Sequence, residues 1–216
     1  MIRINAGYRR PATVTIMNAI EQTTPAADRP LGMLPIGQAL QAQTTAASPF
    51  DALAARRVGL VMFCALLRSL PNAGPAVTQA LAQDIAGYLT GEFPALILEE
   101  EEGILPRLRL RLLLGDNLDD IIDQLIEEHR EDRQHACELA RRCVAFADES
   151  EDDWPELCAA LADFAERLRR HMAWEDATIL PMARERLTAE DLLSWRADMD
   201  RRYGKSTFQR TPVGQH

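Results

Sequence analysis

Residues 161–182 read LADFAERLRRHMAWEDATILPM, and the rest of the chain is best understood outward from them. Leu161, Phe164 and Leu168 recur at intervals of three and four, the period of one helix face, and His171 and Glu175 come next in the same row. Four residues turn a helix through about 400°, so the imidazole and the carboxylate stand about one turn apart on one side. One metal ion can hold both. Thr178 and Met182 continue the row, which makes this the buried face of a helix running from Trp154-Pro155, where proline suits a first turn, to about Leu187.

A preceding helix begins after Gly115-Asp116-Asn117 and runs to about Ala147, with Leu118, Ile122, Leu125, Ala136, Leu139 and Cys143 on its stripe. His129 follows Leu125 by four and precedes Ala136 by seven, so it faces inward too, and two inward histidines on adjacent helices are a stronger metal signal than one. His135 lies about 120° off that stripe and is expected in solvent. Asp132, one turn beyond His129, is a candidate to orient an imidazole or to join the ligands, against the simpler expectation of a surface pair with Arg133 or neighbouring charges.

Further upstream, a helix from about Pro75 to Leu113 is expected to kink at Pro94 and near Gly103–Pro106. It carries Glu99-Glu100-Glu101-Glu102. Such a run is commonly a solvated face, but Glu100 follows Leu96 by four and Phe93 by seven, and a carboxylate on an apolar face must be paired or bound to a metal. The first helix, capped by Ser48 and Asp51, runs to about Leu70 with Leu53, Leu60, Cys64 and Leu67 inward, and stops at Pro71–Pro75. The expected fold is all-α: an antiparallel up-down four-helix bundle over residues 49–187. An extended or partly ordered N-terminal arm spans 1–48, and a short helix and polar tail span 188–216. The one strand candidate is Thr13–Met17.

The composition suits a folded domain: 216 residues, 47% hydrophobic and 26% charged. The net charge of −9 lacks the basic footprint that phosphate backbones require, so no nucleic-acid partner is expected. Residues 1–48 hold six charges, and the remainder holds 20 basic and 31 acidic side chains, so the acidity belongs to the bundle. Four scattered cysteines without a C-x-x-C pair read as reduced core residues. With no apolar run of membrane-span or signal-peptide length, no membrane association and a cytoplasmic location are expected. Gly-rich phosphate loops and the G-x-S-x-G nucleophile motif are absent from the sequence, which removes the usual nucleotide and hydrolase readings.

The segment FPALILEEEEGILP, residues 93–106, resembles the second-helix motif of the hemerythrin-like (HHE cation-binding) domain, P-x-H-x-x-x-E with a proline six residues after the glutamate. His171-Met-Ala-Trp-Glu175 with Pro181 is similar to the fourth-helix motif, Leu125-Ile-Glu-Glu-His129 to the third, and Leu53-Ala-Ala-Arg-Arg57 to the first. Met199-Asp-Arg-Arg202 is similar to an ending common in such proteins. In the family, histidines on all four helices serve a carboxylate-bridged non-haem di-iron centre; here Arg57 and Leu96 stand at two of those positions. Both of the replaced histidines serve the same iron. The resemblance therefore implies that one half of the centre remains, formed by Glu100, His129, His171 and Glu175.

Two arrangements would make such an interior tolerable. One divalent ion, iron or else manganese or zinc, is held by two imidazoles and two carboxylates. Alternatively, Arg57 projects its guanidinium inward and neutralises Glu100 and Glu175 without any metal. The two are compatible, and the preferred expectation combines them: Arg57 in the emptied half, one metal in the other. The functional expectation is a reduced, mononuclear non-haem site that senses or binds a small diatomic ligand such as O2 or NO; two-electron oxygen carriage is excluded by the loss of a second iron. The alternative is a metal-free structural or regulatory interaction module, in which the arm and tail would supply contacts and a homodimer is one arrangement. An enzyme would need a substrate pocket that the sequence does not reveal, so a binding role is expected over catalysis.

Overall fold

The computed structural model describes residues 48–72, 79–149 and 154–203. The expected arm over 1–47, with its strand candidate Thr13–Met17, lies outside the described residues, as do the end of the acidic loop and the tail with His216.

Every regular element among the described residues is helical. Ser48 starts α1 (Pro49–Ser69) as expected: its hydroxyl accepts the Asp51 N–H at 3.2 Å and donates to the Asp51 carboxylate at 2.8 Å, satisfying a first-turn amide that has no helical partner. A 3₁₀ turn, Leu70–Asn72, ends this segment. The second segment is a broken rod of α2 (Gln79–Thr90), α3 (Glu92–Glu99), a π-helical turn (Glu100–Ile104) and α4 (Leu105–Arg109). The third is the uninterrupted α5 (Leu118–Glu149), and the fourth comprises α6 (Trp154–Ala177) and α7 (Ile179–Arg186). A fifth helix, α8 (Ala189–Tyr203), follows.

The breaks follow from local chemistry. Pro94 cannot donate to the Thr90 carbonyl, so the kink falls at Gly91 and Pro94 itself sits harmlessly in the first turn of α3. The rod ends at Arg109 rather than Leu113. Residues 110–117 form a turn in which Gly115 takes φ +87°, a left-handed value that glycine adopts without strain. There the Asp116 carboxylate accepts the N–H groups of Leu113 and Leu118. The fourth segment is not continuous to Leu187 but breaks at Thr178, because Pro181 leaves the Ala177 carbonyl without its helical donor.

Helix α2 lies along α5, α1 lies along α6, and α5 meets α6, so the apolar stripes converge on one core. Phe93, Leu53, Leu67, Ile85, Leu125 and Leu161 are essentially removed from water, each contributing about 1.5–3 kcal/mol of hydrophobic stabilisation. Helix α8 packs on α1 and on the π-turn, with the Trp195 ring edge-on to Phe50 at 5.2 Å. The cysteines are free thiols; Cys64, Cys143 and Cys158 are buried as expected, whereas Cys137 is exposed. Burial pushes the thiols of Cys64 and Cys143 up to about 12 and that of Cys158 to about 11, so they remain protonated hydrophobes. No helix among the described residues is long and apolar enough to cross a membrane.

Candidate metal centre

Both interior carboxylates stand just ahead of a break in their helix, six residues before a proline. Glu175 is the third residue from the end of α6, and Glu100 opens the π-turn. An α-helix steps about 100° per residue, which sends neighbouring side chains to different faces. A π-turn is wider, bonding each N–H to the carbonyl five residues back, and such turns concentrate at functional sites. Here it separates the four glutamates cleanly. Glu99 faces α8, Glu100 faces the centre, Glu101 faces α5, and Glu102 is exposed.

His129, His171 and Glu175 bring one ligand atom each to within 4.8 Å of one another. The two imidazole rings lie 5.0 Å apart, tilted by 38°. Both Nε2 atoms approach the same oxygen, Glu175 Oε1, at 3.6 and 3.4 Å. Glu100 joins from the second segment, its Oε2 at 3.5 Å from His129 Nε2, but stands outside the tight three-residue group. The space between these groups and Leu60, Phe93, Leu96, Ile97, Leu168 and Met172 is a cavity of about 10 Å³, room for one water or ion.

Arg57 points inward. Its Nη1 donates to Glu100 Oε1 at 2.9 Å and to Glu175 Oε2 at 2.6 Å, while Nη2 donates to the Met172 carbonyl at 3.1 Å and to Asp176 at 3.0 Å. Each of the two carboxylates thus gives one oxygen to the guanidinium and turns the other toward the imidazoles. The arginine is related to the His129–His171–Glu175 group through two bridging carboxylates, the relation that a second cation would have. Leu96 is buried at the cavity wall, one turn before Glu100.

The electrostatics follow from burial opposed by close charges. Desolvation and the neighbouring Glu175 charge push the Glu100 carboxyl up to about 7 despite Arg57. Burial works against ionisation of Glu175 as well, but contacts from both imidazoles and from Arg57 overcome it and hold that carboxyl below its ordinary range. Burial disfavours the charged form of His129, yet Glu101, Glu175 and Glu100 raise it to about 9; His171 is raised in the same way, chiefly by Glu175. Arg57 lies further above its already high value and is permanently charged.

The surroundings of the imidazoles suit metal ligation. Both nitrogens of His129 are buried and make no well-formed hydrogen bond. Its Nδ1 lies 3.3 Å from Glu101, and Nδ1 of His171 lies 3.3 Å from Glu128 and 3.7 Å from Asp132. Carboxylates behind Nδ1 that leave Nε2 directed at a common point are the usual outer support of metal-bound histidines. The residues therefore fit a divalent cation.

Several expectations need correction. Asp132 is buried and pairs with Arg167 rather than Arg133, which instead reaches Glu101 at 2.8 Å. The run 99–102 is not a solvated face: Glu99 is wholly buried, with Arg202 and Trp195 on its oxygens. Glu101 and Glu128 escaped the sequence reading. The available signal was adjacency to residues already placed inward, since Glu128 precedes His129 directly and Glu101 follows Glu100. His135 is exposed as expected.

The family model described as the hemerythrin HHE cation binding domain matches residues 50–183. The chain belongs to the hemerythrin HHE family. The match takes in all of the candidate site, from Arg57 to Glu175, and stops short of α8. Neither the curated proteins nor the solved structures contain a match to the chain. Membership places it in a family of helical cation-binding domains, and His129, His171 and Glu175 form a group that could hold a metal ion.

Proposed function

We propose that this hemerythrin-type chain carries a mononuclear metal centre in which Arg57 replaces the second metal. The observation that carries the reading is the division of the Glu100 and Glu175 oxygens between the guanidinium and the imidazoles. His129, His171 and Glu175 would hold the ion, with Glu100 beside them; two histidines and a carboxylate with positions left open suit iron(II), and zinc or manganese as competitors. Such an ion supplies a Lewis-acidic and, for iron, one-electron redox centre. The cavity beside the imidazoles is walled by apolar side chains and is about the size of one ion, which favours sensing of a ligand as small as O2 or NO over catalysis on a larger substrate. The reading includes a reducing, cytoplasmic setting, in which the buried thiols stay free.

A second reading has its own observation. Arg57 already compensates both carboxylates by direct hydrogen bonds, so the interior is tolerable as a metal-free interaction module. Elemental analysis of untagged protein from iron-supplemented medium separates the two. About one metal per chain supports the mononuclear centre. A value near zero, unchanged after reconstitution with iron(II), sinks it in favour of the module. A value near two means that residues other than histidine replace the lost ligands.

A further inference from the structure

We propose that α8 is a clamp on the π-turn, and that Trp195 and Arg202 are positioning residues that fix the Glu100 carboxylate. The purpose given to the clamp rests on the metal-centre reading; its geometry does not. Helix α8 lies beyond the residues that the family model matches.

A π-turn is intrinsically poor helix and persists where something outside holds it. Glu99, directly before Glu100, is wholly buried and accepts hydrogen bonds from Trp195 and Arg202 of α8. Arg202 grips it with a planar fork, Nε to Oε1 at 3.0 Å and Nη2 to Oε2 at 3.1 Å, and Trp195 Nε1 donates to Oε2 at 3.2 Å. A bidentate arginine fixes direction as well as distance, so the backbone of Glu99 cannot rotate without breaking it. A slip of the turn by one residue would carry Glu99 toward the centre and Glu100 away from it.

The far side of the turn is tied to the same helix. Pro106 cannot serve the carbonyls behind it, and Arg107 does so instead, its Nη1 donating to Glu102 O at 3.1 Å and Gly103 O at 2.8 Å. The rest of that guanidinium reaches α8, with Nε on the Asp191 carbonyl at 3.1 Å and Nη2 on Ser194 at 2.9 Å and on Asp198. Gly103 allows the approach, since a Cβ there would collide with the Trp195 indole. The turn is thus gripped before Glu100 and after it, on the side facing away from the centre.

The test uses the full chain with Trp195→Phe, Arg202→Gln and Arg202→Lys, the last keeping the charge while losing the fork. Leu193→Ala, on the same helix at a site 73% exposed, is the control. Two quantities are read: exchange of the amide hydrogens of residues 100–104 without metal, and Co2+ affinity with its d–d absorption bands. The clamp predicts faster exchange at 100–104 with α5 and α6 unchanged around His129 and His171. It also predicts Co2+ affinity lowered by roughly 10- to 100-fold with shifted bands, whereas the control matches the parent. Unchanged exchange in all three variants overturns the clamp. Faster exchange with unaltered affinity and bands overturns it too, because the turn would then loosen without moving Glu100. If the parent chain takes up no Co2+, the metal-centre reading fails, and exchange by itself decides the clamp.

Discussion

Removing the charge of Arg57 would leave Glu100 and Glu175 facing each other in a buried interior. Arg57→Leu is therefore expected to destabilise the metal-free protein by about 3–5 kcal/mol, the cost of an unpaired buried charge, read from denaturant unfolding midpoints. A smaller loss would mean that one carboxyl simply takes up a proton. His171→Ala is expected to abolish metal uptake, since it removes one of three atoms that converge within 4.8 Å. The double variant Arg57→His, Leu96→His should raise the metal content from about one to about two per chain. Content no higher than the parent's would show that these positions do not correspond to the missing ligands. Glu100, His129, His171 and Glu175 were legible in sequence because each sits three, four or seven residues from an apolar neighbour, and burial enforces that period. Arg57 was legible as an inward cation through the family's pattern together with Cys64 seven residues on. Its bond to Glu175 across 118 residues of chain was an inference from charge balance rather than from any local pattern.

At the scale of elements, helix existence was plain from periodicity, while the interruptions were anticipated less well. Prolines announced them, but a proline says that a hydrogen bond is missing, not how the chain accommodates the loss. After Glu175 the helix breaks at Thr178, whose hydroxyl donates to the Trp174 carbonyl at 2.6 Å; after Glu100 it widens into a π-turn. A reading based on 100° steps required at least one of the four glutamates inward and placed Glu100 there; it held no signal for Glu99, which faces α8, or for Glu101, which faces α5. Gly103→Ala tests the close approach at this turn. With the Trp195 indole in the path of the new methyl group, a loss of about 1–3 kcal/mol is expected in thermal unfolding. An alanine helix propensity gain without loss would show that α8 sits less tightly on the turn.

For the whole molecule, the centre gives metal-free protein a definite pH dependence. His129 is raised from 6.5 to about 9, so its contribution is present below pH 6.5 and is lost as pH climbs to about 9. Glu100, raised from 4.5 to about 7, retains its proton in the folded state and also loses stability as pH rises through that range. Glu175 is depressed and acts in the opposite sense, losing its contribution as pH falls below 4.5. Metal-free protein should therefore melt at lower temperature at pH 9 than at pH 6. A metal ion displaces the protons of His129 and Glu100, so the gain in melting temperature on adding Co2+ should grow with pH. At a hundredfold excess over Kd the ion adds about 2.7 kcal/mol of folding free energy, and a chelator reverses the shift. A gain independent of pH would place the ion elsewhere. The guanidinium that shares both carboxylates has one further consequence, which concerns stoichiometry. Because it is covalently tethered, it cannot dissociate, be chelated or be diluted away, and its effective concentration at the centre is fixed by the fold. For the proposed mononuclear centre, loading would begin from a half-filled pair, and the expected binding isotherm is a simple hyperbola with a Hill coefficient of about 1, free of the cooperativity that two exchangeable ions sharing bridges would impose.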